Sequence, residues 1–353
     1  MIRSASTMFI QCDGQMQTRF SNYIAAITLT ACFIAQAEEV RIYSERHYDA
    51  DKEVFSEFTD VTGIEVKVVK AGANELIARL ESEKNTPEAD LYITSDAASL
   101  TKASKAGLLA PLKSQFINAA VPKALRGKQD TWAAFTMRGR VLVYAKDRVK
   151  GPLPKSYQDL ASPEYRGNLL IRSSTSKYNR SLLASIIAIQ GKVKATQWAA
   201  GMKKNFARPP QGNDRDQVRA VAKGIADYAI INTYYLGLLK NGESQEDRDA
   251  HAAVKVILPM SGDRGTHVNI SGGGIIKGAK NSNNARKLLE YLVSEKVQKK
   301  YQRLTSEYAV STKVEHEPLQ KSWGEINPDL ESIHDLGTYD QEAQRIFNMV
   351  GWK

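Results

Sequence analysis

Cysteine is almost missing from this chain. Its two copies, Cys12 and Cys32, both lie near the N-terminus. Beyond Cys32 there can be no disulfide, no thiolate metal site and no cysteine nucleophile. Histidine is scarce as well: His47, His251, His267, His316 and His334 are the full set. No His-Glu-x-x-His run and no Gly-x-Ser-x-Gly elbow accompanies them, so the zinc-protease and serine-hydrolase signatures are absent. His251 closes the charged stretch 246–251, which reads as a solvated loop. The glycine run Gly272-Gly273-Gly274 has no Gly-Lys-Ser/Thr after it and no Rossmann spacing. It reads as entry into a strand, not as a phosphate cradle.

Long apolar runs are lacking too. The one apolar stretch, Tyr23 to Ala35, is short for a membrane span. Arg19 precedes it, and the small-x-small triplet Ala35-Gln36-Ala37 follows, ahead of Glu38-Glu39. That layout reads as a secretory signal peptide over residues 1–37, cleaved after Ala37. Met16 is a second candidate start within it. Leu29-Thr30-Ala31-Cys32 also fits a lipoprotein box, in which Cys32 would carry the lipid.

What remains is an ordinary soluble composition. The 353 residues are 42% hydrophobic and 25% charged, enough for one large domain or two medium ones without disulfides. The net charge is +10. Residues 1–37 carry one unit of it, Arg3 and Arg19 against Asp13, which leaves +9. Basic residues are scattered among acidic ones with no recognition motif, and export would remove the chain from nucleic acid.

Strand and helix patterns alternate at short spacing. Strands are expected at Glu39 to Tyr43, Ile64 to Val69 and Ala89 to Thr94, with helices at Asp51 to Thr59, Asn74 to Glu83 and Asp96 to Gly107. This is the pattern of βαβ units and a parallel sheet. A second run follows the break at Pro152 and Pro154. It has strands at Asn168 to Ile171, Asp227 to Ile231, Val254 to Leu258 and Asn269 to Ile276, and one more strand, Arg140 to Tyr144, stands before the break. Its helices are expected at Asn179 to Gln190, Lys192 to Lys204 and Asp214 to Lys223. One amphipathic helix is expected over Asn281 to Lys300, and a last one from Asp335 to Lys353, packed on the second lobe. Two α/β segments, each with its own sheet, predict two lobes and a cleft, with ligands beyond the carboxyl ends of strands.

Three strand-to-helix turns hold unusual residues at those ends. They are Ser44-Glu45-Arg46-His47-Tyr48, Ser173-Ser174-Thr175-Ser176-Lys177-Tyr178 and Asn232-Thr233-Tyr234-Tyr235. A single tyrosine at a strand end is usually a packed aromatic. Four, with a histidine, in three such turns are a candidate donor set. Thr233 reads as a helix cap placing the two hydroxyls that follow. Phenolate is a hard, basic oxygen donor, and it needs a highly charged cation to stay deprotonated near neutral pH. Trivalent iron meets that demand, whereas copper and zinc would favour the scarce histidine and thiolate.

These turns resemble the ferric-ion-binding periplasmic proteins of bacterial ABC iron importers, in their tyrosine-rich subgroup. The resemblance runs from about Glu39 to Tyr308. It also rests on Thr94-Ser95-Asp96, Gly107-Leu108-Leu109, Met137-Arg138-Gly139-Arg140, Leu236-Gly237 and Asn269 to Lys280. It implies an α/β type II periplasmic binding fold, with two α/β lobes joined by hinge strands and a ligand cleft between them. Residues 39–136 with about 264–306 would form one lobe, and 137–263 with about 307–353 the other. It implies metal ligands Tyr48, Tyr178, Tyr234 and Tyr235, with His47 as a fifth or as their neighbour. Arg138 would be the cation behind them, offsetting phenolate charge or standing in for a synergistic anion; Arg46 and Arg140 are the next candidates. Relatives that use carbonate or phosphate carry a carboxylate ligand, and only Glu45 is placed to supply one here. The cargo implied is Fe(3+), with Fe(2+) and a synergistic anion left open. The partner is an inner-membrane ABC permease, and the chain would be a periplasmic monomer and not an enzyme.

Two other cargoes fit the same fold. A polyamine would want more carboxylates than these turns offer. An oxyanion could use Ser173 to Ser176 at a helix N-terminus.

Overall fold

The computed structural model describes residues 38–46 and 48–353. The leader with Cys12 and Cys32, and His47, lie outside the described residues. Nine strands are described: β1 Glu39–Ser44, β2 Glu65–Lys70, β3 Leu91–Thr94, β4 Ala133–Ala145, β5 Leu169–Leu170, β6 Tyr228–Asn232, β7 Val254–Ile257, β8 Thr266–Ile275 and β9 Pro328–Asp329. Helices α1 Ala50–Thr62, α2 Ala73–Ser82, α3 Ala97–Lys105 and α4 Gln115–Ala120 come first. They are followed by α5 Lys177–Lys204, α6 Asp214–Ala222, α7 Tyr234–Lys240 and α8 Gln245–Ala252. The chain closes with α9 Ser282–Leu292, α10 Glu295–Thr305, α11 Pro318–Ser322 and α12 Leu336–Val350. No helix among the described residues is long and apolar enough to cross a membrane.

Local sequence explains most of these elements. Val54, Phe55 and Phe58 give α1 a buried face, as helical spacing requires. The helix stops at Gly63, whose left-handed φ of 71° an L side chain rarely adopts. Asp96 caps α3 by accepting the Ser99 N–H at 3.3 Å. Asn213 and Asp216 form a reciprocal capping box on α6.

Several expectations need correction. The sheet is mixed, not parallel. Its order is β2-β1-β3-β8-β4-β6-β5, with β7 on β4 and β9 on β8. The pairs β1–β2, β1–β3 and β5–β6 are parallel, whereas β8 runs against both β3 and β4, and β4 against β6 and β7. The two expected sheets are joined in one path because β4 serves both. Its residues 133–139 pair with β8, and 140–144 pair with β6. The strand is longer than the stretch Arg140 to Tyr144. Residues 133–139 are buried throughout, so no polar alternation marked them.

The helix expected over Asn281 to Lys300 is two helices. Ser294 turns to an extended backbone and its hydroxyl caps α10. The two helices expected at Asn179 to Gln190 and Lys192 to Lys204 are present as the two halves of α5, separated at Gly191 (φ 79°, ψ 164°). The stretch 246–251 is helical, inside α8, and not a loop. The last helix, α12, packs on α5 and also on α3, so its apolar face serves more than the second lobe.

Candidate metal centre

The carboxyl ends of β1, β5 and β6 lead into the three turns that carry the tyrosines. Tyr48 lies between β1 and α1, Tyr178 is the second residue of α5, and Tyr234 and Tyr235 open α7. Thr233 is not the expected side-chain cap. It is itself helical, its hydroxyl accepts the Gly139 N–H at 3.2 Å, and its own N–H donates to Gly139 O at 2.9 Å. Those bonds fasten the start of α7 to β4, next to Arg138 and Arg140.

The four tyrosines meet. The hydroxyls of Tyr178 and Tyr234 are 3.0 Å apart. The Tyr234 ring stands edge-on to Tyr48 at 6.0 Å and stacks on Tyr235 at 4.2 Å. Tyr234 is buried, and the other three are half-buried. Burial, followed by the Glu307 charge, pushes the Tyr48 phenol well above its ordinary range. Burial and the neighbouring phenols do the same to Tyr234. Burial pushes Tyr235 up to about 12. Without a cation these three groups are neutral phenols at physiological pH.

Arginines surround the cluster. The guanidinium of Arg46 lies 4.3 Å from the Tyr48 ring centre and is held by Asp51 through bonds of 3.0 Å from Nε and Nη2. Burial alone would make Arg46 easier to deprotonate, but Asp51 and Glu307 outweigh it and hold the charge firmly. Arg138 and Arg140 lie 5.9 and 5.8 Å from the Tyr178 ring centre. Arg138 donates through Nη2 to Ser95 O. Arg140 binds Asp214 at 2.6 Å, Asn179 at 2.8 Å and Asn232 at 3.2 Å.

Sequence reasoning missed several participants. Arg172 is nearer the Tyr178 ring, at 5.1 Å, than either expected arginine, and Lys177 is 6.0 Å from it. Glu307 is fully buried and accepts the Tyr48 hydroxyl at 3.2 Å and the Thr136 hydroxyl at 2.6 Å. Nothing local signals its role. A glutamate after Thr305-Ser306 reads as exposed, and it turns inward because Ser306 adopts a left-handed φ of 59° at the end of α10. Glu45 is not turned toward the tyrosines. Its carboxylate is taken by Lys177 and by the Thr94 hydroxyl.

The arrangement suits a hard, highly charged cation. Among the described residues no three His, Cys, Asp or Glu side chains cluster as a metal site, so the convergent donors are phenols. In the rival oxyanion turn, the hydroxyls of Ser173 and Thr175 bond each other at 2.7 Å.

Comparison with known proteins places the chain among transport binding proteins. Residues 53–328 match the family model of bacterial extracellular solute-binding proteins. Iron uptake protein A1 of Synechocystis is 40% identical over 321 residues, covering 90% of this chain and 88% of that relative. Among solved structures, a Trichodesmium FutA in complex with iron and citrate ligands is 40% identical. It covers 89% of this chain and 100% of its own, with a TM-score of 0.84. The ferric binding protein from Campylobacter jejuni is 39% identical, covers 89% and 100%, and has a TM-score of 0.82.

Proposed function

We propose, from the premise that this chain belongs to the bacterial extracellular solute-binding proteins, that it captures ferric iron through tyrosine phenolates and delivers it to an ABC permease. The observation that carries this reading is the convergence of Tyr48, Tyr178, Tyr234 and Tyr235 at one place. Iron is the cargo, and the four phenol oxygens are its ligands, with His47 in the same turn as Tyr48.

Charge supports the trivalent ion. Around the tyrosines, Arg46, Arg138, Arg140 and Arg172 face three carboxylates, Asp51, Glu307 and Asp214, leaving one excess positive charge. Four phenolates around Fe(3+) leave one excess negative charge, which balances it. Fe(2+) would leave two, and an uncompensated charge in a buried site is costly. Each phenol must lose a proton to bind, so capture releases protons.

The remaining assignments follow the same reading. Residues 39–136 with 264–306 form one lobe and 137–263 with 307–353 the other. The change of β4 partners between Gly139 and Arg140 supports that division. Iron bridging tyrosines from both lobes would stabilise the closed form, since only a ligand with differential affinity can shift such an equilibrium. The chain is exported by residues 1–37, works in the periplasm as a monomer, and binds without catalysing a reaction. Whether Cys32 carries a lipid is decided by the mass of the mature N-terminus.

The test is visible absorption during titration with ferric citrate, beside a Tyr234→Phe/Tyr235→Phe variant. A phenolate-to-iron charge-transfer band that saturates near one iron per chain, and is lost in the variant, is expected. A colourless protein that takes up no iron overturns the reading and returns the oxyanion and polyamine cargoes.

A further inference from the structure

We propose that Lys177 and Glu45 form a latch across the cleft: their ion pair closes the lobes on its own, with or without cargo, and slows the release of iron. The closure rests on the two-lobe division above, and the effect on release rests on the ferric reading as well.

The pair joins positions 132 residues apart. Glu45 follows β1, and Lys177 opens α5, so the division places them on opposite lobes. Lys177 Nζ donates to the Glu45 carboxylate and also to the Ser95 hydroxyl at 3.0 Å. Ser95 follows β3, on the same side of the cleft as Glu45. Its backbone oxygen accepts from Arg138, so two cations from the opposite lobe meet at one residue. Glu45 is held ready for its partner. Its N–H donates to Ile93 O at 3.0 Å, and its second carboxylate oxygen accepts the Thr94 hydroxyl. Both Glu45 and Thr94 are buried, and a buried carboxylate is costly without a cation.

The helix gives an independent reason to look across the cleft. A helix N-terminus carries partial positive charge and disfavours a lysine. The first turn of α5 has no acidic residue to offset it. Arg180, three residues on, is taken within its own lobe by Asp340 at 2.9 Å. Lys177 instead reaches over the open groove that Glu45, Lys102, Arg180 and Asp340 line with it. Its side chain is 32% exposed and that of Glu45 is 10% exposed, so water screens this pair less than an ordinary surface pair.

The latch is placed to act on retention. Glu45 stands three residues before Tyr48, and Lys177 stands directly before Tyr178. Closing the pair draws together the two turns that carry proposed ligands. Neither residue binds iron, so both are positioning residues. A closed form favoured before cargo arrives lowers the conformational cost of binding.

Small-angle X-ray scattering of the metal-free mature chain reads closure. Glu45→Lys sets two cations face to face and is expected to have a larger radius of gyration than wild type. Lys177→Glu/Glu45→Lys exchanges the charges and is expected to return toward the wild-type curve. Iron release is read from the decay of the phenolate band in excess EDTA. It is expected to be about tenfold faster in Glu45→Lys and slowed again in the exchanged pair. Glu45→Gln serves if Glu45→Lys does not fold, and is expected to move both readouts in the same direction. Faster release with an unchanged scattering curve would place the effect at the tyrosines and overturn the latch. An opened variant that releases iron at the wild-type rate overturns it too, as does an exchanged pair that restores neither readout. A wild-type chain that takes up no iron fails the ferric reading instead, and scattering still decides the closure.

Discussion

The Tyr178 and Tyr234 hydroxyls lie 3.0 Å apart across 56 positions of sequence. One is delivered by the first turn of α5 and the other by the first turn of α7. In the metal-free chain this contact is a hydrogen bond between the two hydroxyls. In the proposed iron-loaded form the same two oxygens would be neighbouring ligands. Removing either hydroxyl should therefore separate the two roles. Tyr178→Phe is expected to cost the apo chain only about 1 kcal/mol of stability. Its iron affinity should fall by more than the roughly 10–100-fold typical of losing a group behind the ligands. Denaturation midpoints and competitive iron titration against citrate measure the two effects separately.

Iron binding should weaken steeply in acid. Burial holds Tyr48 and Tyr234 well above the ordinary phenol range and Tyr235 at about 12. Each of these three phenols is thus protonated in the free chain at every physiological pH and, as a proposed ligand, would give up its proton only to the metal. Affinity then rises with pH by about one decade per unit for each phenol displaced. Titrations between pH 6 and 8 that show no pH dependence beyond that of the iron chelate would contradict phenolate ligation.

The metal-free chain should lose stability at the alkaline end. An unfolded tyrosine ionises near 10, whereas folded Tyr235 waits until about 12. Its contribution is fully present below pH 10 and is lost as pH rises toward 12. Tyr235→Phe removes part of that alkaline limb, and urea midpoints at pH 8 and 11 measure it.

His267 should set an acid limb. It is buried, and burial reinforced by Arg140 and Arg138 lowers its imidazole to about 3. Its Nε2 lies 3.0 Å from the Ser181 hydroxyl. The depressed value contributes stability above the unfolded pKa near 6.5, which is lost as pH falls toward 3. By pH 5 the loss should reach about 2 kcal/mol. His267→Asn should flatten the stability profile between pH 7 and 5, whatever it costs at pH 7.

Breaking the Arg46–Asp51 pair should be expensive. Asp51 accepts from Arg46 and from the Tyr301 hydroxyl at 3.0 Å, all buried. Asp51→Asn leaves a buried guanidinium short of its partner, with an expected cost of about 3–5 kcal/mol. Urea unfolding checks it, and a loss within about 0.5 kcal/mol of zero would show that Glu307 alone neutralises Arg46.

The tyrosine turns were legible because they are local. Each sits directly after a short apolar strand, and strand ends are where α/β sheets place their ligands. Arg138 entered only through the resemblance, because the expected strand began at Arg140 and the buried residues 133–139 of β4 carry no polar alternation. Glu307, Asp51, Asp214 and Arg172 were not legible, because an ordinary charged residue carries no local sign that it is buried. Glu307 meets Tyr48 across 259 positions, a pairing that no spacing rule reaches. The helix break at Ser294 was hidden by an apolar period that continues through it.

By itself, the sequence determined the α/β alternation, the absence of thiol chemistry beyond Cys32 and the candidate tyrosine turns. These depend on residue type and short-range period, which the chain carries along its length. Tertiary structure alone decided how the charges are shared. Long-range pairing through β4 and β8 made one mixed sheet of two expected ones. The left-handed turn at Ser306 sent Glu307 inward between two arginines. In a buried site the strength of a charge depends on its distance to every other charge, and only the folded chain fixes those distances.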